Sequence, residues 1–181
     1  MQAPAKSPKP PVNVKKEILE WVKCLGVALA AFLLIHFFLF QMVYVDGISM
    51  LDTLEDGDRL AVTIPDFKLN GFQRGQIAIC TYPGEDHYCV KRVIGLPGET
   101  IEIKNGVTYI NGEALDEPYI VHPSRADMAA RVVPEDCYFV MGDNRAVSLD
   151  SRDERVGPLN KSAFLGIAHL RLWPLNKIST L

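Results

Sequence analysis

The chain has 181 residues, of which 48% are hydrophobic and 23% are charged, and its formal net charge is −3. These values are typical of a folded protein and exclude a wholly disordered chain. The length allows one domain and an additional segment, and the acidic balance argues against nucleic acid as a partner.

The charge is unevenly distributed along the chain. Residues 1–23 hold five lysines and two glutamates, a net charge of +3, so the remainder carries −6. Residues 1–12 are rich in proline and lysine, which predicts a flexible tail. A basic segment before an apolar run predicts, by the positive-inside rule, a cytoplasmic N-terminus and an extracytoplasmic body.

The apolar run extends from Cys24 to Val45, 22 residues without a formal charge. As a helix it would be roughly 33 Å long, enough to cross the hydrocarbon core of a bilayer. A cleavable signal peptide would have a shorter apolar core and a small-residue cleavage site, and a packed core helix would not need the all-round apolar surface of residues 32–40. We therefore predict a tail and helix start at 1–23, a transmembrane anchor at 24–45 and an extracytoplasmic domain at 46–181.

Short β-type runs separated by turns follow Val45. The runs at 76–82 and 88–94 flank a turn and predict a hairpin, and those at 100–104 and 107–110 flank Asn-Gly, a strong hairpin signal. Residues 114–135 are polar and irregular, which predicts a surface excursion. Further strands are predicted at 59–63, 137–141 and 168–173. The fold class is therefore mostly β with antiparallel sheets, preceded by one transmembrane helix.

Two residues carry the candidate chemistry. Ser49 follows a glycine near the end of the apolar run, and a serine hydroxyl needs a base to act as a nucleophile. None of the four histidines lies in a triad motif, but Lys91 alternates with Cys89 and Val93 on one face of a predicted strand, where burial would lower its pKa. Taken singly, Ser49 could instead form a turn or a helix cap, and Lys91 could protect a strand edge.

Three segments together resemble bacterial type I signal peptidases of family S26. Gly47–Asp58 (GISMLDTLEDGD) resembles the nucleophile box, Tyr88–Glu99 (YCVKRVIGLPGE) the lysine box, and Gly142–Arg152 (GDNRAVSLDSR) the C-terminal box. Their order agrees with the family, and Trp173–Asn176 resembles its usual ending. The resemblance extends over nearly everything from the apolar run to the C-terminus.

The resemblance implies a membrane-bound serine endopeptidase that removes signal peptides through a Ser-Lys dyad and an acyl-enzyme. Ser49 would be the nucleophile, Lys91 the general base and Ser148 the residue that orients the lysine, and Met50 is a candidate for the substrate pocket. Structural support near the site would come from Asp143, Arg145, Asp150 and Arg152.

The same resemblance implies the partners and the location. The substrates would be secreted preproteins with small residues at positions −1 and −3, and a functional link to the export translocon is possible. The enzyme would lie in a bacterial plasma membrane as a single-pass protein. No cofactor is expected, and the spacing of cysteines and histidines suggests no metal site.

The sequence departs from the family pattern at two positions. The nucleophile box normally has proline where this chain has Asp52, whose carboxylate would raise the pKa of Lys91 if it came close, or would otherwise face water. Gly47 occupies the position at which some members have a serine that donates to the oxyanion. Asp52 is the only support for one alternative, a non-enzymatic scaffold. A self-cleaving regulator on a related fold is a second alternative, and the anchor and the absence of a DNA-binding region count against it.

Cys80 and Cys89 flank the predicted hairpin turn and could face each other across it. A disulfide is possible in an oxidising exterior, but Cys89 could also pack as a thiol near the dyad.

Overall fold

The computed structural model describes residues 14–38 and 40–181, so the predicted tail at 1–12 lies outside it. The chain divides after Phe37 into an N-terminal unit and a unit of Phe38–Leu181. Helix α1, Val14–Phe38, belongs to the N-terminal unit except for its last residue. Within the part of the chain described, no helix is long and apolar enough to cross a membrane.

The sequence predicts a helical anchor as far as Val45, but the apolar run is not helical over its whole length. The helix ends at Phe38, and Phe40–Tyr44 form strand β1, which pairs with the next strand. Along this segment, exposed and buried residues alternate. Met42 and Tyr44 are exposed, and Val43 and Val45 are buried. This period of two suits a strand with one buried face, and it explains the end of the helix.

The remaining unit is built from short strands, and two of the predicted hairpins are present. Strands at 77–81 and 88–95 pair as one hairpin, and those at 100–104 and 107–110 pair as another. One short helix, α2, spans Pro65–Asn70. The strands after β1 are β2 Arg59–Thr63, β3 Ile77–Thr81, β4 Tyr88–Gly95, β5 Thr100–Lys104, β6 Val107–Ile110, β7 Glu113–Ala114, β8 Met128–Val132, β9 Cys137–Met141, β10 Leu159–Asn160, β11 Phe164–Trp173 and β12 Ser179–Thr180.

The strands form two antiparallel sheets. The larger has the order β1-β2-β11-β3-β4-β9-β10, with β12 paired to β11, and the smaller has the order β7-β6-β5-β8. The prediction of a mostly antiparallel β fold is confirmed. Strand β8 lies within the stretch at 114–135 that was predicted to be irregular, and only Met128 of this strand is buried, so its apolar pattern is too weak to reveal it.

Strand β3 places the site within the core. Ile77 and Ile79 enter one buried cluster with Leu54, and Ala78 and Cys80 enter another. Because both faces of β3 are covered, its neighbour β4 is also buried along most of its length. A side chain on β4 is therefore kept from water by the neighbouring strands themselves.

Close packing of β11 against β2 predicts the cost of one substitution. A Cβ atom on Gly166 would collide with the carbonyl oxygen of Thr63, next to a register shift in β11. We expect Gly166→Ala to lower the free energy of unfolding by about 1–3 kcal/mol, as overpacked cores do. Urea unfolding of the full chain measures it.

The control is Leu69→Ala at an exposed position of α2, which should change stability by less than about 0.5 kcal/mol. Equal stability of Gly166→Ala and the parent chain would show that the two strands separate readily at this point.

Candidate active site

Ser49 lies in the turn between β1 and β2, and its backbone is held by the C-terminal box. The Asn144 N–H donates to the Ser49 carbonyl at 3.0 Å, and Asn144 Nδ2 donates to the Ile48 carbonyl at 3.2 Å. On the other side, the Gly47 N–H donates to Asp56 Oδ1 at 2.8 Å. These bonds fix the turn from both ends and leave the Ser49 side chain half-buried.

Lys91 lies on β4 opposite Ala78 of β3, and only 5% of the residue is exposed. Its Nζ is 2.8 Å from Ser49 Oγ and donates to the Val90 carbonyl at 3.1 Å. The structure thus brings together two predicted residues that are 42 positions apart. At this distance a proton can pass between hydroxyl and amine.

Burial lowers the pKa of Lys91 below its ordinary value of 10.5. The nearby groups Cys89, Cys80, Asp150 and Asp143 act in the opposite direction and raise it. The net direction is downward, so a larger share of the amine is neutral at a given pH than for an exposed lysine. A neutral amine is the form that can accept a proton from Ser49.

Both carboxylates near Lys91 are paired with arginines. Arg92 Nε and Nη2 contact the two Asp143 oxygens at 2.9 and 2.6 Å, and Thr53 Oγ1 donates to the same carboxylate at 2.6 Å. Arg152 likewise contacts Asp150 at 2.8 and 2.9 Å. Because each acid has a guanidinium partner, its negative charge is largely offset, which leaves burial as the main influence on Lys91.

Arg145 connects the box to the smaller sheet. Its Nη2 contacts Glu117 Oε1 at 2.6 Å, its Nη1 donates to Thr108 Oγ1 at 3.1 Å, and its Nε donates to the Gly142 carbonyl at 2.9 Å. Tyr119 donates to Glu117 at 2.8 Å, and its ring lies 4.0 Å from the guanidinium carbon of Arg92. Glu117 and Tyr119 are not predicted by the sequence, because they lie in a stretch without a recognisable motif.

Ser148 lies beside the site, and its orienting role stays a prediction. A Cβ atom on Gly142 would collide with both Ser148 Oγ and the Ser49 carbonyl oxygen, so these groups are close neighbours. Ser148 Oγ donates to the Leu149 carbonyl at 3.4 Å, whereas Lys91 Nζ bonds to Ser49 and Val90. In this arrangement the hydroxyl faces its own loop.

A cleft of about 510 Å³ opens beside the dyad. Met50, the candidate for the substrate pocket, lies in its wall and is otherwise buried in the core. The wall is formed by the end of β1 with the segment that follows it, and by the beginning of β4 with the residue before it. Its residues are Tyr44, Val45, Asp46, Ser49, Met50, His87, Tyr88, Cys89, Val90 and Lys91.

The two departures from the family pattern have different surroundings. Asp52 is exposed, which agrees with the water-facing alternative. Gly47 has a φ of 96°, a region that favours glycine, although the space around its absent Cβ is open. A serine at Gly47 would therefore fit sterically but strain the backbone.

Cys80 and Cys89 are register partners across β3 and β4, as the predicted hairpin placed them, and both are free thiols. Cys80 is fully buried, whereas Cys89 is half-buried and lies in the wall of the cleft. Burial raises the pKa of Cys80 to about 12. Of the two alternatives, the structure has the thiol near the dyad and not the disulfide.

Residues 18–173 match the family described as "Signal peptidase, peptidase S26". The chain belongs to this family. The match includes all three boxes, and it therefore spans the dyad, the ion pairs and the cleft. The family resemblance found in the sequence is confirmed.

Relatives of similar length support the family assignment. Signal peptidase I S of Bacillus subtilis (strain 168) is 40% identical over 92% of this chain and 95% of its own, and signal peptidase I of Bacillus amyloliquefaciens is 38% identical over 96% and 97%. Signal peptidase IB of Staphylococcus aureus (strain COL) is 35% identical over 91% and 94%. A crystal structure of a signal peptidase I from Enterococcus faecalis V583 is 33% identical, with 53% of this chain and 95% of that chain covered and a TM-score of 0.48.

The buried pair of Arg92 and Asp143 predicts a stability effect. Asp143→Ala would leave the Arg92 guanidinium, largely buried, without its carboxylate. We expect a loss of about 3–5 kcal/mol in the free energy of unfolding, since breaking a buried pair leaves an uncompensated charge. Thermal and urea unfolding of the full chain measure the loss.

Asp153→Ala is the control, because it removes a carboxylate from an exposed aspartate–arginine pair in the same region. Its unfolding midpoint should match that of the parent chain. A similarly small effect for both variants would mean that the Arg92 guanidinium finds water or another partner.

Proposed function

We propose that the chain removes N-terminal signal peptides from exported preproteins as a serine endopeptidase with a Ser49–Lys91 dyad. The observation that carries the proposal is the 2.8 Å separation of Lys91 Nζ and Ser49 Oγ, with the amine almost fully buried. Membership of the signal peptidase family supports the substrate class. Asp52 was the main argument for a non-enzymatic scaffold, and its exposed position weakens that argument.

The first half of the reaction forms an acyl-enzyme. Neutral Lys91 accepts the Ser49 proton while Oγ attacks the scissile carbonyl carbon. The tetrahedral intermediate collapses when the amine of the mature protein leaves with a proton from the Lys91 ammonium. The Ser49 backbone N–H is the proposed donor to the oxyanion.

The second half restores the free enzyme. Lys91, neutral again, takes a proton from a water molecule that attacks the acyl carbon. Ser49 Oγ then leaves and recovers its proton, and the signal peptide is released with a new carboxylate. Burial supports both halves, because it lowers the pKa of Lys91 and so increases the share of the neutral amine, the form that accepts protons.

An extended substrate has a suitable place to bind. Strand β4 pairs with β3 along Tyr88–Arg92, whereas its pairing with β9 begins only at Arg92. The opposite edge of 88–91 therefore faces the cleft, and we propose that the preprotein main chain pairs with this edge. Small side chains at −1 and −3 would point toward the wall at Met50, since alternate residues of a strand share a face.

The sequence supports a membrane location for this activity. We propose that the apolar run beginning at Cys24 anchors the chain in the bacterial plasma membrane, with the N-terminus in the cytoplasm and the catalytic unit outside. The +3 charge of residues 1–23 favours this orientation. Preproteins that emerge from the export translocon would then reach the cleft at the membrane surface.

The proposed Ser49–Lys91 dyad predicts that replacing either residue causes a similar loss of cleavage activity. Ser49→Ala removes the nucleophile and Lys91→Ala removes the base, so each should reduce kcat/KM by about 10³-fold or more. The assay follows the cleavage of a preprotein with an Ala-x-Ala site by the full chain in detergent or lipid.

Ser162→Ala and Lys161→Ala are the controls, because they change the same residue types in a short 3-10 helix outside the cleft. Both should cleave at the parent rate. Undiminished cleavage by Ser49→Ala would overturn the proposed mechanism.

The lowered pKa of Lys91 predicts the direction of the pH profile. The amine must be neutral to act, so kcat/KM should rise with pH through the pKa of Lys91 in the folded chain. Because burial lowers that pKa, the rise should be centred below 10.5, the ordinary value for lysine. Initial rates across pH, with circular dichroism to confirm that the chain stays folded, measure the profile.

Lys161→Ala serves again as the control and should give the same midpoint as the parent chain. A rate that falls continuously as the pH is raised, while the chain remains folded, would contradict a lysine base.

A further inference from the structure

The hairpin that carries Lys91 brings three potential metal ligands together. Glu85, His87 and Cys89 each offer one ligand atom, and these three atoms all lie within 4.8 Å of one another. His87 Nε2 is 3.1 Å from Glu85 Oε2. Glu85 and His87 lie in the connection before β4, and Cys89 lies on β4 itself.

The ligand types indicate a particular class of metal. Imidazole, thiolate and carboxylate are all ligands of Zn²⁺, and three protein ligands with one open position are typical of zinc sites that keep a water. A thiolate with an imidazole disfavours Mg²⁺ and Ca²⁺, which prefer oxygen ligands. The sequence does not predict this cluster, because its ligands are spaced by two residues, unlike the familiar Cys-x-x-Cys patterns.

The fold itself makes little use of these side chains. Glu85 and His87 are exposed, and an exposed ion pair of this kind adds little to stability. Cys89 is a free, half-buried thiol in the wall of the cleft, and its side chain has a hydrogen bond with Tyr82. The grouping is therefore available for a ligand.

The position of the cluster relates it to the dyad. His87 and Cys89 belong to the same cleft wall as Ser49 and Lys91. They also flank Tyr88, at the start of the strand edge to which the preprotein would bind. An ion held there, with its water, would occupy space that the substrate needs.

We propose that Glu85, His87 and Cys89 bind one Zn²⁺ ion at the mouth of the cleft, and that the bound ion reversibly inhibits peptide cleavage. The binding site stands on the geometry of the hairpin alone. The inhibition rests on the proposed function, because it requires that the cleft be the place of cleavage.

Binding is tested without any catalytic readout. The full chain, in detergent with a non-thiol reductant, is titrated with Co²⁺, whose charge-transfer band reports a thiolate ligand, and Zn²⁺ is then added as competitor. We expect one Co²⁺ per chain, displaced by Zn²⁺. Glu85→Ala and His87→Ala should weaken binding at least about tenfold, and Cys89→Ser should abolish the band.

The control for the thiol is Cys137→Ser, since Cys137 is also half-buried and free but lies on β9. It should bind like the parent chain. Absence of Co²⁺ binding, or a band that persists in Cys89→Ser, would overturn the site. Glu85→Ala and His87→Ala keep the test valid, because both side chains are exposed and can be removed without unfolding the chain.

Inhibition is tested with the cleavage assay in the presence of Zn²⁺, and each variant is compared with its own metal-free rate. Zn²⁺ should inhibit the parent chain, and a chelator should restore the rate. Glu85→Ala should need at least about tenfold more Zn²⁺ for half-inhibition, in line with its weakened site. The matched control is Asp86→Ala, which removes a neighbouring exposed carboxylate outside the cluster and should respond like the parent chain.

Equal zinc sensitivity of Glu85→Ala and Asp86→Ala would overturn the inhibitory role. If the metal-free parent chain cleaves no preprotein, the proposed function fails, whereas the Co²⁺ titration still decides the metal site. The two proposals can therefore fail separately.

Discussion

The contact between the Lys91 amine and the Ser49 hydroxyl depends on keeping the amine away from water. An ammonium group buried without compensation is costly, and the chain meets this cost by favouring the neutral amine. The folded pKa lies below 10.5, so the destabilisation is fully present below the folded pKa and disappears as the pH rises toward 10.5. The packing around β4 must therefore be stable enough to offset the cost of burying the Lys91 amine.

The central position of β4 provides this stability. The strand is paired with β3 along its first part and with β9 along its second part. Lys91 belongs to the first part, where one edge is paired and the other faces the cleft. The same position thus buries the amine and leaves the edge of 88–91 open to the cleft beside Ser49.

The arginines of the site offset the negative charges near Lys91 and connect the segments that surround it. Arg92 and Arg152 pair with Asp143 and Asp150, the two carboxylates that would otherwise favour a charged lysine. Arg145 pairs with Glu117 of the long connection between β7 and β8 of the smaller sheet. The C-terminal box is therefore fastened to both β4 and that connection, and through Asn144 it holds the turn with Ser49.

Sequence alone predicted Ser49 and Lys91 through the order of the three family boxes. It predicted the two hairpins and the antiparallel fold class through alternation and turn residues, which are local signals. It did not reveal the end of α1 at Phe38, since Phe40–Tyr44 continue the apolar run and only pairing with β2 makes them a strand. Nor did it reveal the partners Glu117 and Tyr119 or the grouping of Glu85, His87 and Cys89. The 2.8 Å contact, the burial of Lys91 and the exposure of Asp52 were decided by tertiary structure, because each depends on which distant segments the sheets bring to one place.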